Sequence, residues 1–296
     1  MTHNSDNIKS GDLMQKPLRL GIIYEEESRR GLTHPFFILI IDAFKRRAEE
    51  LGCEITFVNN NLVEKDLDYV RYCRVSQLDG VCVVCADFTS QKVAALIESG
   101  FPCLTMDHLF KRVPAVLSDN ETGMRKLVEY AISCGHRRIA YVHGHNNSVV
   151  TRTRIQKFRN TMSAHNLPVP PEYIRECEYD NMSLTRRIVR ELLALPERPT
   201  CIILPDDIAY LGAQDAAREC GLRIPDDISF AGYDGIPITQ SLKPQLTTIR
   251  QDGDKMGRLA AEQLVSVIHD PVNSSKFPFI LPIELIEGGT IGPVSI

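Results

Sequence analysis

The sequence predicts an α/β protein of two lobes, each a parallel sheet with helices on both faces. Three observations predict it. Short apolar runs alternate with amphipathic helical patterns along most of the chain, as strands joined by crossover helices do. The segment CIILPDDIAYLGAQDAARECGLRIPDDISFAGYDGIP, residues 201–237, is a complete strand–helix–strand unit in which both strands run into aspartates. The length of 296 residues suits two cores of about 130 residues each, and the elements pass through two similar rounds.

The first round opens with an apolar strand over 18–24 and a polar loop over 25–34, and its first helix begins at Pro35. Phe37, Ile40, Ile41, Phe44, Ala48 and Leu51 recur at spacings of three and four, so one face of that helix is buried before Gly52 ends it. Strands follow over 54–58, 81–85 and 103–106, with helices over 67–77 and 91–99 between them, and Asp107 comes just after the last strand. A short link over 116–119 leads to the second round: helix 121–133 stopped by Gly135, strand 138–143, helix 153–165, an extended stretch near Ile174 and helix 183–194.

The organising unit comes next. Strand 201–204 stops at Pro205, Asp206 or Asp207 is a natural N-cap, and Leu211, Ala213, Ala216 and Ala217 supply the apolar stripe of a helix ending at Gly221. Strand 228–233 then delivers Asp234. Crossovers of this length are right-handed with parallel strands, so both acidic turns leave the carboxyl ends of neighbouring strands, where open α/β sheets bind ligands. Residues 246–252, a helix over 255–268 and a strand over 278–286 come after the second round is complete. Such a tail can return to the first lobe and cross back.

Composition narrows the function. A formal net charge of -4 gives no whole-chain basic field for nucleic acid or membranes. No apolar run reaches the roughly 18 residues of a spanning helix, and the first 17 residues lack the apolar core of a signal peptide, so the cytoplasm is expected. Nine cysteines, odd in number and scattered through apolar segments, read as reduced core thiols. Cys82 and Cys85 form C-x-x-C inside a strand, where that spacing puts the sulfurs on opposite faces, against a redox or metal role. No Gly-rich phosphate loop and no G-x-S-x-G elbow is present, so nucleotide binding and esterase chemistry are unsupported, and no cofactor is expected. His143 and His145 lack a nearby third ligand, so they read as solvent-facing and no metal is expected. Paired aspartates could serve a glycosidase, but the element order closes neither a barrel nor a sandwich.

What gathers at strand ends is a mixed polar set: Glu25, Glu26, His34 and Phe36; Asp107 and His108; His143, His145, Ser148, Arg152 and Arg154; Asp206 and Asp207; Asp234; Gln251. Phe88 and Tyr233 lie near by in sequence order. Carboxylates, guanidinium and amide groups with a few aromatic faces suit vicinal hydroxyls on a sugar-like ring.

Eight ordered segments carry a resemblance. HPFF at 34, DH at 107, SDN at 118, GHRRIAYVHG at 135, TRTRIQKF at 151, LPDDIAYLG at 204, GLRIPDDISFAGYDGIP at 221 and LTTIRQD at 246 resemble the ligand-binding core of the LacI/GalR family of bacterial transcription regulators, over about residues 18–290. That core is similar to periplasmic sugar-binding proteins of type I. The resemblance implies two Rossmann-like lobes joined by three crossovers, near 117–119, 249–251 and 281–282. It divides the chain into a polar tail over 1–17, one lobe of 18–117 with 252–281, and another of 118–251 with 282–296. It places the effector between the lobes, at Phe36, Asp107, His108, Arg154, Asp206, Asp234 and Gln251. It further implies a homodimer through the helix that begins at Asp207, and no catalysis.

Three positions depart from the family pattern: Asp206 stands where asparagine is usual, His108 where arginine is common, and Lys157 where glycine is common. An acid at 206 makes the pocket more negative, which admits an amino sugar or a cationic group beside a sugar or polyol. Members begin with a helix-turn-helix, and 17 polar residues are too few for two helices and a turn. The chain therefore reads as a sensing core whose operator contact is made by a domain outside it, or as a sensor that binds no DNA itself. A solute-binding protein for a sugar transporter is the rival reading.

Overall fold

The computed structural model describes residues 16–25, 32–58, 68–272, 274 and 278–294. Twelve strands and nine α-helices among these residues build two sheets of six strands each.

The first sheet takes strands β1 (Arg19–Tyr24), β2 (Glu54–Phe57), β3 (Gly80–Cys85), β4 (Cys103–Met106) and β5 (Ala115–Ser118), with the late strand β11 (Phe279–Leu281), in the order β11-β5-β4-β3-β1-β2. Every pairing is parallel. Alternate residues of β3 serve opposite faces, and both faces are apolar because both are covered. Cys82 and Val84 join the core under helices α1 (Pro35–Glu50) and α9 (Gly253–His269), while Val81 and Val83 join the core under α2 (Tyr69–Val75) and α3 (Gln91–Glu98). No disulfide joins Cys82 to Cys85 or any other two of the nine cysteines.

The second sheet contains β6 (Ile139–His143), β7 (Ile174–Glu176), β8 (Cys201–Ile203), β9 (Ser229–Asp234), β10 (Thr247–Gln251) and β12 (Ile283–Ile286), ordered β12-β10-β9-β8-β6-β7. It is parallel except that β12 runs antiparallel to β10. Helices α4 (Asn120–Ser133) and α5 (Val149–Ala164) cover one face, and α6 (Met182–Leu193) and α7 (Asp207–Glu219) the other. A single turn of helix, α8 (Pro237–Gln240), follows β9.

Three expectations from local pattern change here. The apolar run expected as one strand over 278–286 is two strands belonging to different sheets, divided at Pro282. Proline has no N–H to continue a ladder, and the chain uses it to change lobes. The link expected over 116–119 includes β5, whose four residues are too few to show a period. The helix expected over 67–77 is the shorter α2, and residue 67 lies outside the described residues.

The chain passes between lobes three times: from β5 to α4, from β10 to α9, and from β11 to β12. Adjacent strands of that junction are tied directly, since Asp119 donates its N–H to the Leu281 carbonyl at 3.0 Å. No helix among the described residues is long and apolar enough to cross a membrane.

Candidate functional site

The carboxyl ends of β4, β8, β9 and β10 deliver Asp107, Asp206, Asp234 and Gln251, the positions at which a parallel sheet presents side chains to a ligand. Asp107 and Asp234 share an unusual backbone, with φ of +49° and +115°. Left-handed aspartates are uncommon and +115° costs strain, which packed surroundings must impose. Gly235 follows at φ +72°, where a Cβ would lie 2.7 Å from the Arg250 Cα, so the turn that aims Asp234 admits no side chain at its next residue.

Arg154 is the centre of the arrangement. It rises from α5, is 3% exposed, and lays its guanidinium over the Tyr233 ring at 3.5 Å from the centroid. Its Nε donates to Asn120 Oδ1 at 2.8 Å and its Nη1 to the Pro205 carbonyl at 3.3 Å. Asp107 of the first lobe and Asp234 of the second both act electrostatically on it. Burial pushes the Asp107 carboxyl above the ordinary range, against the pull of Arg154 and of the Ser118 N–H, which donates to Asp107 Oδ1 at 3.3 Å. Burial raises Asp234 further. Arg154 and the Gln251 amide oppose that rise, while Asp207 and Asp206 add to it.

Asp206 and Asp207 have separate duties. Asp206 is the N-cap of α7, its Oδ1 accepting from the Ala209 N–H at 2.7 Å, and its Oδ2 accepts from the Asp180 N–H at 2.7 Å. Asp207 points away into the lobe, accepting from the Ile236 N–H at 2.9 Å and from the hydroxyls of Thr239 and Thr248 at 2.8 and 2.5 Å. Gln251 donates from Nε2 to Asp234 Oδ1 at 2.7 Å, leaving its buried Oε1 without a partner among the described residues.

The remaining expected residues divide. His108 lies flat on Phe88 at 4.3 Å between ring centroids and tilts against Phe110, and burial with the nearby Arg152 lowers its pKa. Phe36 is buried in the first lobe's core with Ile40 and Met256, and the half-buried aromatic of that turn is Phe37, edge-on to Tyr24. His143 is buried rather than solvent-facing, its Nδ1 2.7 Å from the Gly144 carbonyl oxygen. His145 contacts Glu176 at 3.1 Å, Ser148 caps α5, and Arg152 donates to two loop carbonyls. His34 is buried beside Phe37, and Glu26 lies outside the described residues. No group of three metal-ligating side chains gathers among the described residues.

Sequence reasoning missed Asn120 and Tyr179. Asn120 sits on the first crossover and orients Arg154; its place in the SDN motif was the only signal. Tyr179 shares a hydrogen bond of 2.9 Å with Thr151, and its ring lies where a side chain on Gly144 would be. It falls in an irregular stretch without periodicity, which is why pattern could not find it.

Two mostly parallel α/β lobes joined three times define a type I periplasmic binding protein-like fold, with strand-end carboxylates and one stacked guanidinium where the lobes meet. Comparison with known proteins agrees. Residues 128–291 match the periplasmic binding protein-like domain. The HTH-type transcriptional repressor PurR of Aliivibrio fischeri is 30% identical over 243 residues, 80% of this chain and 72% of that repressor. A solved regulatory protein of the LacI family from Chloroflexus aggregans is 26% identical, with a TM-score of 0.81 over 93% of this chain and 98% of that one. A LacI family regulator from Enterococcus faecium with bound ribose, 21% identical, shares the fold at a TM-score of 0.80 over 94% of this chain and 100% of its own.

The chain belongs to the LacI/GalR family and forms its effector-binding core. It is a ligand-sensing regulator and not an enzyme, as its repressor relatives are.

Proposed function

We propose that this core works in the cytoplasm and takes a small sugar-like effector, a sugar, amino sugar or polyol, between its lobes. Asp107 and His108 approach from the first lobe, whose core holds Phe36, and Arg154, Asp206, Asp234 and Gln251 approach from the second. Residues 18–117 with 252–281 move as one body, and 118–251 with 282–296 as the other. The ribose held by the Enterococcus faecium regulator supports a hydroxyl-rich ligand.

One observation carries the reading: Asp107, just past the end of a strand of one lobe, feels the charge of a buried arginine of the other, so the site is complete only when the lobes are together. Arg154, Asp206, Asp234 and Gln251 are each at most 6% exposed, so the lobes must part for a ligand to enter. Closure is then coupled to operator binding by a helix-turn-helix outside the core, of the kind named in the PurR repressor, with coupling of about 1 to 3 kcal/mol. The core pairs as a homodimer across the exposed side of α7, near Asp215 and Arg218, so that DNA half-sites follow the two-fold axis.

Thermal denaturation with and without a stabilising sugar tests the site. Asp234→Ala is expected to remove the ligand-dependent gain in Tm and to leave the unliganded melt cooperative. A variant that keeps the gain overturns the site assignment.

A further inference from the structure

We propose that the effector of this cleft carries a positive charge, an ammonium or amidinium group, received between Asp107 and Asp234 beside Gln251. The proposal rests on the reading of the cleft as the effector site and specifies the chemistry of what enters it.

The first ground is an imbalance of buried charge. Asp206, Asp207 and Asp234 are at most 6% exposed, Arg154 is the one buried arginine among the described residues, and Arg154 makes an ion pair with none of these acids, nor with the partly buried Asp107, among those residues. Its bonds go to neutral acceptors, Asn120 Oδ1 and the Pro205 carbonyl, and its flat face to Tyr233. A buried carboxylate without a paired cation is unfavourable, and burial pushes the Asp107 and Asp234 carboxyls up despite the pull of Arg154. Other cations stand at the rim. Arg152 is committed to the Asn146 and Asn147 carbonyls, and Lys157 is paired with Glu121 at 2.7 Å.

The second ground is independent of charge. Gln251 is 5% exposed, and its amide is fixed by the bond from Nε2 to Asp234, yet its Oε1 has no partner among the described residues. An orphaned acceptor in a closed site costs about 1 to 3 kcal/mol, and it calls for a donor. Asp107 and Asp234 each use Oδ1 within the protein, toward the Ser118 N–H and the Gln251 amide, and their second oxygens accept nothing among the described residues. Three acceptors therefore wait for hydrogens, and an ammonium group supplies three. Asp206 has both oxygens engaged and contributes through its field alone.

The experiment is a thermal-shift and titration-calorimetry comparison on the full chain, using pyranoses, pentoses and inositols as matched amino, neutral and carboxylate forms. The expected result is that an amino member gives the largest rise in Tm and binds at least roughly tenfold tighter than its neutral counterpart, one buried charge–charge contact at the scale of a pK unit. Asp206→Asn retains an acceptor for the Ala209 N–H and removes the charge, so it should narrow the ratio of amino to neutral affinity. Asp107→Asn is the second variant, should Asp206→Asn fail to fold, with the same expected narrowing.

Three results overturn the proposal. Neutral or carboxylate forms stabilise while amino forms do not: the charge assignment falls and the sensor reading stands. An amino preference that neither variant changes places the cation elsewhere. No stabilisation of the wild type by any member defeats the proposal and the effector reading together.

Discussion

Asp207 is a buried carboxyl that holds the fold, accepting from one backbone N–H and two hydroxyls. Burial pushes it up to about 7, against three donors that favour the ionised form, with Asp206 adding to the rise. Since an unfolded aspartate titrates near 3.9, the folded chain holds a proton that the unfolded chain has released between about pH 4 and 7. The Asp207 contribution to stability is therefore complete below about pH 4 and is lost as the pH rises through about 7. Asp207→Asn should flatten that dependence in denaturant titrations at pH 5 and pH 8, at a cost under about 1 kcal/mol, because an amide can accept from Ile236 and Thr239 and donate to Thr248. Asp207→Ala strands those donors in the interior and should cost about 3 kcal/mol. Equal losses from both variants would show that the polar network is not what holds this turn. An acid at a helix start was legible from sequence, but Asp206 and Asp207 were interchangeable there. Only the fold decided that one caps the helix and holds the Asp180 N–H while the other turns into the lobe.

At the scale of elements, close backbone approach outweighs surface charge. Helices α1 and α9 meet at Gly257, where a Cβ would stand 2.2 Å from the Ile40 carbonyl oxygen and 2.7 Å from the Phe44 nitrogen. Neither neighbour is a side chain that can swing aside. Gly257→Ala should therefore lower stability by about 2 kcal/mol or more, read as a drop in Tm, because the helices must separate. The same two helices share exposed ion pairs: Arg47 with Glu262 at 2.7 Å, Arg46 with Asp254 at 2.6 Å and Arg258 with Glu50 at 3.1 Å. Screened surface pairs are worth roughly 0 to 1 kcal/mol each, so Glu50→Ala should shift Tm by much less than Gly257→Ala. A larger effect from Glu50→Ala would mean that the network acts as a unit. Periodicity found Ile40, Ile41, Phe44 and Ala48 of the buried face of α1, but Leu51 is exposed, Phe37 is half-buried, and Phe36 and Ala43 are buried instead. It could not pair α1 with a helix more than two hundred residues later, because nothing in either helix alone records its partner.

Across the whole molecule, the lobes touch through apolar residues as well as through the polar site. Ile236, in the turn after β9 of the second lobe, is 1% exposed and belongs to the first lobe's core with Phe36, Ile40 and Met256, and Ile208 of α7 packs against the same cluster. Its backbone N–H is the one held by Asp207, so the wedge and the buried carboxyl are one construction. Ile236→Ala should remove about 2 to 3 kcal/mol of packing that exists only when the lobes are together. Small-angle scattering of the unliganded variant should show a larger radius of gyration than the wild type. An unchanged radius with a lowered Tm would assign Ile236 to stability alone.

The sequence by itself determined the alternation of strand and helix, the covered parallel sheets, and the strand ends at which Asp107, Asp206, Asp234 and Gln251 emerge. Those features depend on local period, on turn chemistry and on burial of both sheet faces, all written within about thirty residues of each other. Tertiary structure alone decided which partners Asp206 and Asp207 take, that Asn120 holds Arg154 beside Tyr233, and that Pro282 divides one apolar run between two sheets. Each of these joins residues distant in the chain. Their energy comes from desolvation and geometry that exist only after the lobes assemble, so no local pattern can encode them.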